Sequence, residues 1–183
     1  MKLAFIGTYP PRECGIGIFT KNLFESILAN SEKREYEGFV VALNDDDLTY
    51  EYPKEVKAII RQEHQEDYLK AVKFINLSGA DICILEHEFG IFGGQNGVQI
   101  LPLLHRLKVP LIVTLHTILK SPSYNEKAVL QEICKMANNK DFRQMIWTEI
   151  YAHFHRTKKI IKFNHRKGEG IMNLSAGLYF SAS

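Results

Sequence analysis

Three adjacent ionisable residues, Glu86, His87 and Glu88, directly follow the apolar run Ile82-Cys83-Ile84-Leu85 and precede glycines at 90, 93, 94 and 97. Glu86 and Glu88 share one side of an extended chain, since side chains alternate along a strand. One reading is a hydrolase-like carboxylate pair, or a metal site completed by His87. No metal-ligand spacing such as H-E-x-x-H accompanies them, which argues against both. A second group is Gly15 and Gly17, where a loop gives way to a helical pattern. Without a Cβ they allow close backbone approach, and the free N–H groups of a first helical turn can hold a phosphate. The alternative is an ordinary glycine-rich turn. A dinucleotide fingerprint fits less well: Thr8 to Cys14 intervene after the strand, and no G-x-G-x-x-G is present. A third group, His116-Thr117, ends the apolar run Leu111 to Leu115.

These groups need strand ends to position them, and the chain supplies a regular alternation. Leu3 to Ile6 reads as a buried strand, Gly7 to Gly17 as a loop, and Phe19, Leu23, Phe24, Ile27 and Leu28 as the apolar stripe of a helix. Phe39 to Leu43 is a second strand, left through the acidic stretch Asn44 to Asp47, a solvated turn or a ribose-hydroxyl site. Val56, Ala58 and Ile60 alternate with polar residues, as on an edge strand. Tyr68, Ala71, Val72 and Ile75 follow helical spacing, closed by Ser78-Gly79. The branched run at Ile82 predicts a strand buried on both faces. The glycines after it predict a mobile loop.

Asn96 and Gln99 have the spacing of a capping box for a helix burying Ile100, Leu101, Leu104 and Leu107. Pro102 conflicts with that start, so the helix either begins late or kinks there. Ser123 and Glu126 form a second capping-box pattern, before Val129, Leu130, Ile133, Cys134 and Ala137 on one helix face. The fold class expected is therefore α/β, a Rossmann-like doubly wound parallel sheet in the order 3-2-1-4-5. Winding reverses between strands one and four. The loop at Gly15–Gly17, the segment from Glu86 to Gly97 and His116 are thereby expected to share one crevice.

Composition excludes some functions. With 183 residues, 45% hydrophobic and 24% charged, the chain can bury one good core, and a net charge of +2 argues for neither nucleic acid nor a membrane surface. Three scattered cysteines suggest a reducing, cytoplasmic setting. The apolar start is stopped too soon, by Pro10 to Glu13, for a signal peptide, and no run is long enough to span a bilayer.

Three ordered segments carry a family likeness: Thr8-Tyr-Pro-Pro-Arg-Glu-Cys-Gly-Ile-Gly-Ile-Phe-Thr20, Glu86-His-Glu-Phe-Gly-Ile-Phe-Gly-Gly94 and Val113-Thr-Leu-His-Thr117. Over residues 1 to about 138 they resemble the N-terminal half of GT-B glycosyltransferases of family GT4, mannosyltransferase-like members above all. The resemblance implies a retaining transferase that moves a sugar from a nucleotide-sugar donor, a GDP- or UDP-sugar, to an acceptor hydroxyl, with no metal and no other cofactor required. It implies that Gly15, Ile16 and Gly17 offer N–H groups to the donor diphosphate and that Arg12 reaches a phosphate. His116 would lie against the transferring sugar; the plainer alternative is a strand-end cap. Glu86, His87, Glu88, Gly93 and Gly94 would shape the acceptor pocket.

After about residue 138 the likeness stops. Phe142, Met145, Ile146, Ile150 and Phe154 suggest an amphipathic helix, residues 156–167 are basic, and the end from 175 to 183 has no place in the family pattern. Expected domains are 1–138, the GT-B N-terminal domain, and 139–183, a divergent helical and basic tail holding no complete donor domain. An altered or truncated reading frame near 139 is one explanation, and a genuine divergent tail is the other. Either way, the chain is expected to be inactive without a C-terminal donor domain or a partner chain that supplies one. The runner-up is a non-catalytic Rossmann-like module that binds a phosphorylated ligand or docks on a partner through the helix from Asp141 to His155.

Overall fold

The computed structural model describes residues 1–29, 35–45 and 48–137. In chain order the elements are β1 (Lys2–Gly7), α1 (Gly15–Ala29), β2 (Glu37–Asn44), β3 (Val56–Arg61), α2 (Gln65–Leu77), β4 (Ile82–His87), α3 (Leu101–Leu104), β5 (Leu111–Leu115) and α4 (Tyr124–Ala137). The tail and the features expected on it lie outside the described residues.

All strands pair in parallel in one sheet, in the order β3-β2-β1-β4-β5. This is the α/β Rossmann-like arrangement read from the sequence. Every residue of β4 is buried, as a central strand with both faces covered requires. By contrast β3 is an edge, with Ile60 buried and Ile59 47% exposed.

Side-chain alternation divides the core into two layers. Ala4, Ile6, Cys83 and Leu85 belong to the larger layer, with Tyr68, Val72 and Ile75 of α2, Leu103 of α3 and Ile133 of α4. On the opposite face Phe5 meets Phe24 of α1 edge-on, with centroids 5.3 Å apart. The registers Phe5 with Ile84 and Glu86 with Thr114 put Glu86 on the α1 face and His87 on the other.

Two local readings change, and one left open is decided. The buried ridge of α1 is Gly17, Thr20 and Phe24, while the rest of the expected stripe is not fully buried. A small residue and a hydroxyl lie at the ridge because the helix closes tightly on its own preceding loop. Asn96 and Gln99 do not cap a helix: Asn96 has φ of 55° inside a short 3-10 turn, and Gln99 instead donates to Glu63 at 3.3 Å. The helix begins late, with Pro102 in its first turn, where a missing N–H costs nothing. The Ser123–Glu126 pair does form a reciprocal box, Ser123 N–H to Glu126 Oε2 at 2.7 Å and Glu126 N–H to Ser123 Oγ at 3.3 Å.

Candidate functional site

At the C-terminal edge of the sheet, His116 continues the β4–β5 ladder by donating its backbone N–H to the His87 carbonyl at 2.9 Å. That register brings its ring to Glu86, with Nε2 at 2.9 Å from Glu86 Oε2. The other carboxylate oxygen takes the Thr114 hydroxyl at 3.3 Å. Glu86 is fully buried, and the His116 side chain is 17% exposed. Room for Glu86 exists because Gly7 ends β1. A Cβ there would lie 3.0 Å from Glu86 Cβ and 3.2 Å from Thr20 Oγ1. From α1, the Phe19 ring meets the His116 ring edge-on at 5.0 Å.

His87 points into the larger core layer. Its ring stacks on Phe92 at 5.6 Å and meets Phe89 edge-on at 5.3 Å, and neither ring nitrogen has a hydrogen-bond partner among the described residues. Burial, reinforced by His116 nearby, lowers its pKa to about 4. Here the histidine behaves as a neutral aromatic packing unit. Glu88, just past the strand, caps the following turn through the Phe89 N–H at 2.8 Å and accepts a short hydrogen bond from the Thr117 hydroxyl.

The glycine segment is folded rather than irregular, with 3-10 turns at Phe89–Ile91 and Gln95–Ile100. The Gly93 N–H donates to the Tyr68 hydroxyl at 3.0 Å, and the Gly94 N–H to Glu63 at 3.0 Å. A Cβ on Gly93 would sit 2.0 Å from the Gln62 carbonyl oxygen, so that glycine permits a close backbone contact.

Around Gly15–Gly17 the loop from Thr8 is held by polar contacts. Cys14 Sγ lies 2.9 Å from the Thr8 hydroxyl and accepts the Gly17 N–H at 3.2 Å. Arg12 donates to the Leu43 carbonyl at 3.1 Å and pairs with Asp45 at 2.6 Å. Its guanidinium therefore braces the end of β2, and Tyr50 donates to the same Asp45 at 2.9 Å. Gly15 is exposed, with nothing near its Cβ position, whereas a Cβ on Gly17 would meet the Arg12 carbonyl at 3.3 Å.

The sheet thus brings Glu86, His116 and the start of α1 together through Phe19, sends His87 and Gly93 into packing, and leaves Gly94 exposed. Open grooves of about 580 and 500 Å³ run along Pro10–Ile18, the larger also bounded by Asp45, Leu48 and Tyr50. Neither is lined by Glu86 or His116. Sequence reading named Thr117 beside His116 but gave no site role to Thr114, Phe19 or Gly7. Of these, Thr114 was within reach, since it lies two residues before His116 on the same strand face. Among the described residues no cluster of three or more His, Cys, Asp or Glu could hold a metal ion. No helix there is long and apolar enough to cross a membrane. Chemically, the carboxylate–imidazole pair can orient a hydroxyl or exchange a proton with it. No family model matches the chain, and no curated protein does.

Proposed function

We propose that residues 1–137 form the acceptor-side domain of a GT4-like retaining glycosyltransferase of the GT-B type, which moves a sugar from a GDP- or UDP-sugar to an acceptor hydroxyl. The observation that carries this reading is His116, held at the strand edge between buried Glu86 and Phe19, a residue that lies about one helical turn after Gly15 on α1. In this reading His116 meets the transferring sugar. The N–H groups of Gly15 and Ile16 face the diphosphate. The Gly17 N–H is shared with Cys14, and Arg12 would have to leave Asp45 to reach a phosphate. Sugar transfer needs a second wall as well, from a C-terminal domain or a partner chain. Three free cysteines support a reducing, cytoplasmic setting.

A second reading, a non-catalytic ligand-binding or docking module, is favoured by the position of the grooves along Pro10–Ile18, away from Glu86 and His116. Titration of the 15N-labelled chain with GDP, UDP and methyl mannosides separates the two. The transferase reading expects amide shifts at Gly15 and Ile16 with diphosphates, and shifts at His116 and Thr117 with sugars. Saturation with every ligand and no shift at either place would reject it.

A further inference from the structure

A carboxylate removed from water must be compensated by hydrogen bonds. Glu86 is fully buried, and β5 with the residue just after it provides its side-chain partners among the described residues, Thr114 at Oε1 and His116 at Oε2. Gly7 leaves the space in which the carboxylate sits, and Phe19 holds the imidazole plane at 88° to its own. The ring is thus constrained from two sides, and one nitrogen is assigned to a buried acceptor. Nδ1 makes no hydrogen bond to any described residue.

We propose that Glu86 is a positioning residue for His116: it accepts the Nε2–H, fixes the imidazole in that tautomer, and leaves Nδ1 as a hydrogen-bond acceptor at the partly exposed edge. An ionised carboxylate only accepts, so the proton between the two belongs to the ring. The atom presented outward is then a lone pair. It takes a hydrogen from a hydroxyl and disfavours an anion, which suits a sugar or polyol ligand and leaves phosphate to backbone N–H groups. That choice of ligand rests on the glycosyl-transfer reading, whereas the tautomer assignment does not.

Two-bond 15N–1H correlation spectra of the full chain at pH 8 test it, with His116 identified among seven histidines by the loss of its signals in His116→Gln. The expected result is a protonated Nε2 and an unprotonated Nδ1 in the native chain, and a shift toward the Nδ1–H form in Glu86→Gln. Should Glu86→Gln fail to fold, Glu86→Asp, which withdraws the carboxylate from the ring, is expected to move the same signals. A native His116 that is Nδ1-protonated, doubly protonated or an even mixture would overturn the proposal, as would an unchanged pattern in a folded variant. No sugar or nucleotide enters these spectra. A negative sugar titration therefore rejects the transferase reading alone, and a wrong tautomer rejects the role of Glu86 alone.

Discussion

Glu86 Oε2 lies 2.9 Å from His116 Nε2, joining a fully buried carboxylate on one strand to a partly exposed imidazole just past the end of the next. Such a pair resists the removal of either member more than it stabilises as a whole, because the survivor stays desolvated.

His116→Ala leaves Glu86 with Thr114 as its remaining side-chain partner among the described residues, and is expected to cost about 1–3 kcal/mol. Adding Glu86→Gln should recover part of that loss, since a neutral amide tolerates burial better. Urea unfolding of the two single variants and the double variant measures the coupling. Strictly additive losses would show that the two side chains do not depend on each other.

His87 should make the fold sensitive to acid. Burial, then the nearby His116, holds its pKa at about 4 against 6.5 for an ordinary histidine. The folded value lies below the unfolded one, so on acidification the unfolded chain takes up the proton first. The stability associated with neutral His87 is complete above pH 6.5 and is lost as pH falls toward 4, roughly 3 kcal/mol in all. His87→Phe keeps the stack on Phe92 and removes the titrating group. Its unfolding midpoint should vary less with pH between 6.5 and 4 than that of the native chain. Identical pH profiles would assign the acid sensitivity elsewhere.

Gly93 and Gly90 should respond differently to alanine. At Gly93 the new methyl would meet the Gln62 carbonyl oxygen at 2.0 Å, while at Gly90 nothing lies within 4 Å. Backbone must move for Gly93→Ala, at a cost of about 3 kcal/mol. Gly90→Ala should stay within about 0.5 kcal/mol of the native chain. Thermal melts compare them, and an unchanged midpoint for Gly93→Ala would show that the 62–93 contact is not held in solution.

This polypeptide alone is expected to transfer no sugar at a useful rate. Holding donor and acceptor together contributes about 7–11 kcal/mol of barrier reduction, which needs both walls of a cleft. In the proposed reading, His116 and the Gly15–Ile16 amides would supply one wall. The assay presents GDP- and UDP-sugars with mannosyl and glucosyl acceptors, following nucleotide release and product mass. Robust turnover abolished by His116→Ala would show that this chain builds a donor site by itself.

Strand order was legible in the sequence because four β-runs are apolar and continuous, β3 alternates as an edge strand does, and the longer helices show their own period. Right-handed crossovers then leave few topologies. β5 matches its expected bounds, Leu111–Leu115, and the buried face of α2 is the one read from Tyr68, Ala71, Val72 and Ile75. The late start of α3 was one of two outcomes that Pro102 left open. The error at Asn96–Gln99 arose because capping-box spacing also fits residues in a tight turn, and only the backbone angles distinguish them.

By itself the sequence determined which residues gather at the C-terminal edge of the sheet, since periodicity places Glu86, His87, Glu88 and His116 at strand ends. Tertiary structure decided their separate tasks. Adjacent residues on a strand face opposite layers, so the register between β4 and β5 joins Glu86 to His116 and turns His87 into the core against Phe92. Close approach between distant segments likewise gives Gly93 its place against Gln62, a contact that no local pattern encodes. Local chemistry is written in residue order, whereas partnership depends on distances through space that only the packed sheet sets.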